Sequence, residues 1–186
     1  VGDSVNIKER TTGSGGGAMW DYVDINSVTV DPDPLKQFNV VACDNPALAL
    51  KLRIGDVVDV KQFGALGNGV VDDTASIQAG INYGEGLTVI IPTGIYMIDA
   101  ITSVSLRSNS TVEFMRGAEF HVITNSEINY ECILITNTFG VVLINPVIKG
   151  DRNTHTGTEG EHGHGIQIFN TTNLKIYNPI IDDCWG

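Results

Sequence analysis

Three places in this sequence bring together side chains able to move protons. The stretch FGALGNGVVDDTASIQAGI (63–81) carries the adjacent carboxylates Asp72 and Asp73. The segment GDRNTHTGTEGEHGHG (150–165) gathers Asp151, His155, Glu159, Glu161, His162 and His164. The last residues hold Asp182 and Asp183 beside Trp185. Paired carboxylates with different surroundings can divide acid and base roles between them, and histidine titrates near neutrality.

Each cluster also has a structural reading. Gly64, Gly67 and Gly69 supply a tight turn before Asp72 and Asp73, either of which can accept from the free amides of a helix first turn. Ala75 and Ala79, and Ile77 and Ile81, sit at i, i+4 spacing, which predicts an apolar helical stripe. The aspartates therefore read as helix starters rather than catalysts. The 150–165 segment reads as a mobile glycine-rich insertion, either a solvated loop or an inter-subunit contact. Its Glu161-His162-Gly163-His164 lacks the fixed i, i+4 spacing of a helical metal site. Strand alternation over 180–183 turns one of Asp182 and Asp183 outward, and the alternative is a polar turn.

The elements that must hold these residues belong to an ordinary globular composition. The chain has 186 residues, 42% hydrophobic and 18% charged, enough for a core. A formal net charge of −11 excludes a phosphate-binding surface as the main theme, so no nucleic-acid partner is expected, and neither is membrane insertion. Cys43, Cys132 and Cys184 have no CxxC spacing and read as small buried residues, with neither a disulfide framework nor a metal site. There is no initiating Met and the ending DCWG closes no recognisable element, so the sequence reads as a piece cut from a longer chain.

The segment 1–55 differs from the rest. GSGGGA (13–18) fits a dinucleotide-loop pattern only formally, since the adjoining MWDYVDINSVTV reads as strand. Asp31-Pro32-Asp33-Pro34 marks a turn. From Asp56, DVVDVKQF alternates as a half-buried strand, then comes the helix, then short strands: LTVII, GIYMI, VSL, STVEFM, EFHVI, CILIT, GVVLI, GIQIF and NLKIY. NTFGVVLINPVI, beginning at Asn137, recurs as NTTNLKIYNPII, beginning at Asn170, and the same offset pairs Ile133 with Ile166. A fainter copy at a slightly shorter offset sets Val104, Leu106, Val112 and Phe114 against Ile133, Ile135, Val141 and Leu143. Such repetition predicts a β-solenoid whose coils stack like residues in rows, with Asn145 and Asn178 in an amide ladder and the helix sealing the first coil.

With these motifs in view, DVKQFGALGNGVVDDTASIQAGI (59–81) and then VIIPTGIYMI (89–98) resemble the start of the pectate-lyase-like right-handed parallel β-helix. Phe63, Gly67, Asp72, Asp73, Thr74, Ile77, Gln78, Pro92, Gly94 and Tyr96 are among the matches. Asn68 and Gly80 depart from it, where Asp and Ala are usual, and Gly80 should weaken the helix by about 1 kcal/mol. The segment at 2–23 and NPALALKLR (45–53) resemble the lead-in of bacteriophage tailspikes.

The resemblance implies an all-β fold: a right-handed parallel β-helix over 56–186, with a short capping helix at about 73–83 and a strand-rich neck over 1–55. It implies a receptor-binding spike that binds and cleaves capsule or O-antigen polysaccharide of a bacterial surface. The spike would be a homotrimer joined to other tail proteins in the virion, made in the host cytoplasm. Asp182, Asp183, Glu159 and Glu161 are then the candidate catalytic residues, and Trp185 and His164 the candidate sugar contacts, with no cofactor or metal. A non-catalytic adhesin, or a bacterial lyase or hydrolase of the same fold, remain the alternatives.

Overall fold

A computed structural model of the chain describes residues 3–7, 17–32, 38–160 and 162–185. Most of GSGGGA, the Asp33-Pro34 half of the predicted turn, Glu161 and Gly186 lie outside the described residues. Strands β1 (Ser4–Ile7), β2 (Ala18–Asp24), β3 (Val40–Ala42) and β4 (Leu48–Arg53) pair antiparallel in the order β1-β2-β4-β3. Trp20 and Leu52 are register partners, both buried, and join the same apolar cluster as Val58 and Phe63.

Two predicted strands end early, each at a carboxylate. MWDYVDINSVTV leaves the sheet after Asp24, whose Oδ1 accepts from the Asn26 amide at 2.8 Å and starts a 3-10 turn. DVVDVKQF keeps only β5 (Val57–Asp59) before the 3-10 turn Val60–Phe63, in which Asp59 accepts from the Lys61 amide and Gln62 reaches back to the Asp59 N–H. These short side chains offer the backbone a local partner that competes with the ladder.

From β5 onward the chain builds three parallel sheets. The remaining strands are β6 (Asn68–Asp72), β7 (Thr88–Ile91), β8 (Gly94–Ile98), β9 (Val104–Ser105), β10 (Thr111–Phe114), β11 (Ala118–Val122), β12 (Asn129–Thr136), β13 (Val142–Ile144), β14 (Val147–Lys149), β15 (His162–Phe169), β16 (Lys175–Tyr177) and β17 (Ile180–Asp182). The sheet orders are β16-β13-β10-β7-β5, β17-β14-β11-β8-β6 and β15-β12-β9. Each new pass of the chain thus lays its strands beside those of the previous pass.

Like residues line up across these passes. One row runs Val58, Val89, Val112, Leu143, Ile176 in consecutive register, and a second runs Tyr96, Phe120, Ile148, Ile181. Phe120 also meets Phe114, with ring centroids 4.6 Å apart. Removing one fully buried member, such as Leu143→Ala, should cost about 2–5 kcal/mol.

The repeat that relates Asn137 to Asn170 is the strand register itself: Ile133 pairs with Ile166, Leu143 with Ile176 and Ile148 with Ile181. Asn178 donates its side-chain amide to Asn145 Oδ1 at 3.0 Å, and Asn170 to Asn137 at 2.6 Å. All four asparagines have positive φ, between 47° and 53°, the left-handed corner that asparagine tolerates better than other side-chain-bearing residues. The fainter copy needs correction. Val104 does pair with Ile133, but Val112 pairs with Leu143 rather than Val141. A slip of one full strand period keeps every side chain on its own face, so alternation cannot detect it.

The helix α1 (Thr74–Tyr83) packs Ile77 and Ile81 into the core, while Ala75 is exposed. Gly80 is buried against the 3-10 turn Val60–Phe63, where a Cβ would stand 3.2 Å from Val60 Cγ1. The cost to the helix is therefore offset by close packing. The aspartates divide their work differently from the prediction. Asp72 accepts from the Thr74 amide at 2.9 Å and its hydroxyl at 2.6 Å. Asp73, at the N-cap, makes no capping bond; its carboxylate accepts from the Leu66 and Gly67 amides at 2.6 and 3.0 Å. Gly67 lies at φ 61° against the Tyr96 ring, where a Cβ would come within 2.8 Å, so this turn requires glycine.

Candidate functional site

The outward face of the β9-β12-β15 sheet carries a group of polar side chains beside a cleft. Parallel register sets Glu131 beside His164, Asn129 beside His162, Leu134 between Ser105 and Gln167, and Thr136 beside Phe169. Tyr130, Cys132, Ile133 and Ile135 are buried, with the alternation broken at Cys132-Ile133, which leaves Glu131, Leu134 and Thr136 half-exposed. His162 and His164 are exposed, with rings 6.5 Å apart and near parallel. His164 Nδ1 donates to the His162 carbonyl at 2.8 Å, which leaves Nε2 as the basic nitrogen of the neutral ring. Phe169 is 69% exposed and Phe139 is 53% exposed, apolar rings of the kind that pack against a pyranose face. Beside them a cleft of about 360 Å³ is lined by Glu85, Arg107, Ser108, Thr136, Asn137 and Thr138, among others.

The other predicted site residues lie elsewhere. Asp182 ends β17, exposed and in register with Lys149 on a different sheet. Asp183 turns the chain at φ 54°, and its carbonyl accepts from the Arg152 amide at 2.9 Å. Glu159 is exposed on the segment between β14 and β15, and Glu161 is outside the described residues.

Trp185 is not on the outer face. Its ring stacks on His155 at 4.5 Å, and His155 stacks on Tyr130 at 5.6 Å. Asp151 holds this stack together, accepting from the Tyr130 hydroxyl, from His155 Nδ1 at 3.0 Å and from the Asn125 amides at 3.2 Å. The side chains of Asp151 and His155 are fully buried. Burial, and then Asp151, push the Tyr130 hydroxyl well above its ordinary value. Gly163 makes the stack possible, since a Cβ there would come within 2.3 Å of the Tyr130 ring. An aspartate-histidine pair is a familiar base device, but a substrate cannot reach this one. It is an anchor. The 150–165 segment is accordingly not a mobile loop throughout: its start is pinned through Asp151 and its end is strand β15.

A further polar group lies on the outward side of the β8-β11-β14-β17 sheet. Glu119 Oε2 meets His121 Nε2 at 2.8 Å and Lys149 Nζ at 3.1 Å. The His121 hydrogen bond, then Lys149, holds the Glu119 carboxyl below its ordinary value. Sequence reasoning missed Glu131, Tyr130 and this trio. The signal for Glu131 was present: extending the repeat upstream of Ile133 and Ile166 by one strand period sets Glu131 against His164. Among the described residues, no group of three or more His, Cys, Asp or Glu side chains is placed to hold a metal ion.

No family model matches the chain, and no curated protein matches it. Solved structures do. The enzymatically active domain of tailspike protein 2 from bacteriophage CBA120 superposes with a TM-score of 0.62 at 18% identity, over 94% of this chain and 23% of that one. Tailspike gp49 of Acinetobacter baumannii bacteriophage Fri1, a capsular polysaccharide depolymerase, gives a TM-score of 0.66 at 17% identity, over 98% of this chain and 39% of that one. The chain has a tailspike-like fold. A putative glycosyl hydrolase from Parabacteroides merdae gives a TM-score of 0.58 at 19% identity, over 71% of this chain and 69% of that one. Against the first tailspike, the chain spans less than a quarter of the partner's length. No helix among the described residues is long and apolar enough to cross a membrane.

Proposed function

We propose that this chain forms the first windings of a phage tailspike that binds a bacterial surface polysaccharide, capsule or O-antigen, and in its complete form cleaves a glycosidic bond. The observation that carries this reading is the polar and aromatic outward face of β12 and β15 beside the Arg107 cleft, on a tailspike-like fold. Carbohydrate recognition needs that mixture: planar polar groups for hydroxyls and exposed rings for the apolar sugar face. On this reading the three sheets close into a right-handed β-solenoid, residues 1–55 act as its neck, and α1 covers the apolar end of the first coil. The complete protein works as a homotrimer in the virion tail, attached to other tail proteins.

The scatter of the carboxylates favours a second reading. Glu131 and Asp182 stand on different sheets, whereas glycoside hydrolysis needs two carboxyl groups facing one bond. This segment would then recognise glycan while any cleavage depends on other residues. Incubating the protein with purified capsules and lipopolysaccharides separates the two. Release of reducing ends or unsaturated uronates by this chain sinks the purely adhesive reading. Absence of binding to every glycan sinks both. Alanine at Asp182, Asp183, Glu159 and Glu161 tests those candidates, and a monomeric mass for the complete protein would contradict the spike.

A further inference from the structure

The net charge of −11 makes a positively charged recognition point conspicuous, and the cleft beside β9 and β12 contains one. Its charged lining residues are Arg107 and Glu85; the rest are hydroxyls, an amide and apolar side chains. Arg107 is exposed and makes no ion pair among the described residues. Its side chain is nonetheless held, because Nε donates to Asn82 Oδ1 at 2.7 Å. Asn82 is itself fixed by Gln78 at 2.9 Å. A guanidinium steadied through Nε by a neutral amide keeps its terminal nitrogens available for a planar anion, at a reduced cost in side-chain entropy.

The neighbours of Arg107 are set in the same way. Asn137 uses its Oδ1 to accept from Asn170 at 2.6 Å, which leaves its own N–H groups as donors. Ser108 Oγ accepts from the Phe139 amide at 3.3 Å, which orients its hydroxyl hydrogen elsewhere. Thr136 and Thr138 add hydroxyls, and Leu106 and Leu134 an apolar floor. A volume of about 360 Å³ lies at the small end of the range for ligand sites.

We infer that this cleft binds a saccharide residue bearing a carboxylate, with Arg107 pairing the carboxylate and Asn137, Ser108 and Thr138 meeting the ring hydroxyls. The inference rests on the proposed glycan-binding role and adds the charge class of the sugar. It also gives an acidic protein a means of holding an acidic polymer: one fixed cation in a cleft, with the surrounding negative charge screened within about 8 Å at physiological salt. Glu85, on the same cleft, disfavours a second acidic group close by.

The test is binding of hexuronate oligosaccharides derived from polygalacturonate, hyaluronate and alginate, each compared with its carboxyl-reduced counterpart, by calorimetry on the whole chain. At least one acidic oligosaccharide should bind about tenfold or more tightly than its reduced form, and Arg107→Ala should remove that preference. Arg107→Lys, which keeps the charge and loses the fork, should fall between, and Glu85→Gln should tighten binding. Thermal unfolding of each variant checks that the fold is kept. No preference for any acidic form, or full preference in Arg107→Ala, overturns the inference. If capsule or lipopolysaccharide glycans bind wild type and Arg107→Ala equally, the cleft assignment falls while the tailspike reading stands. If no glycan binds at all, both fall.

Discussion

Gln78 pairs with Ser105 as a neighbouring strand would: the Ser105 amide donates to Gln78 Oε1 at 2.7 Å, and Gln78 Nε2 donates to the Ser105 carbonyl at 3.0 Å. β9 is the edge of its sheet, and one helical side chain covers its free backbone groups. Gln78→Ala should destabilise by about 1–3 kcal/mol. Gln78→Glu, nearly the same shape, keeps an acceptor for the Ser105 amide and loses the donor to its carbonyl, so it should lose stability without faster exchange there, whereas Gln78→Ala should speed hydrogen exchange at the Ser105 amide. Unchanged exchange in Gln78→Ala would show that the pairing is not what protects this edge.

Asp73 is the second fastening of the same region. Burial pushes its carboxyl above the ordinary value, against the lowering effect of the two amides it accepts from. Asp73→Ala should orphan the Leu66 and Gly67 amides and cost about 2–4 kcal/mol in chemical denaturation, roughly two unmade bonds. Asp72→Ala, which removes an exposed carboxylate where Asp73 is buried, should cost less. The reverse order would contradict the roles assigned to the pair.

The asparagine ladder allows a cleaner separation of causes. Asn178→Gly keeps the left-handed corner and removes the amide bond to Asn145, whereas Asn178→Ala removes both. Alanine should be the worse by about 1–2 kcal/mol, the cost of a Cβ at this φ. Equal losses in thermal unfolding would mean that the corner conformation carries no weight.

Acid should weaken the Glu119 trio. A carboxyl with a depressed folded value contributes stability that is present above the unfolded value, near 4.5, and lost as pH falls through the folded one. Because these side chains are partly exposed, the contribution is at most about 1 kcal/mol. Wild type should exceed Glu119→Gln in stability at neutral pH, and the gap should close below pH 4.5. A gap that does not change with pH would remove the ion pairs from the explanation.

How much was legible depends on range. The helix could be read from the spacing of Ile77 and Ile81, and the register of the last two passes from Asn137 to Ile181, because a stacked repeat writes its pairing directly into the sequence. The slip at Val112 could not, since a shift by a whole strand period leaves the apolar pattern intact. β6 was hidden by Gly67 and Gly69, which read as turn alone. The site was less legible than the fold. His164 was recognised, but its register neighbour Glu131 comes from the previous pass of the chain. Trp185 looked like a sugar platform until Asp151 and His155, from the previous pass of the chain, drew it inward.

The corners at Asn145 and Asn178 each precede a proline. Asparagine ages when the next residue's backbone nitrogen attacks the side-chain amide and closes a five-membered imide, which opens to aspartate. Proline has no N–H to lose, so that ring closure is blocked at both rungs. The neutral amides that join these passes of the chain are thereby shielded from slowly turning into two facing negative charges, and the stack has chemical durability as well as mechanical fit.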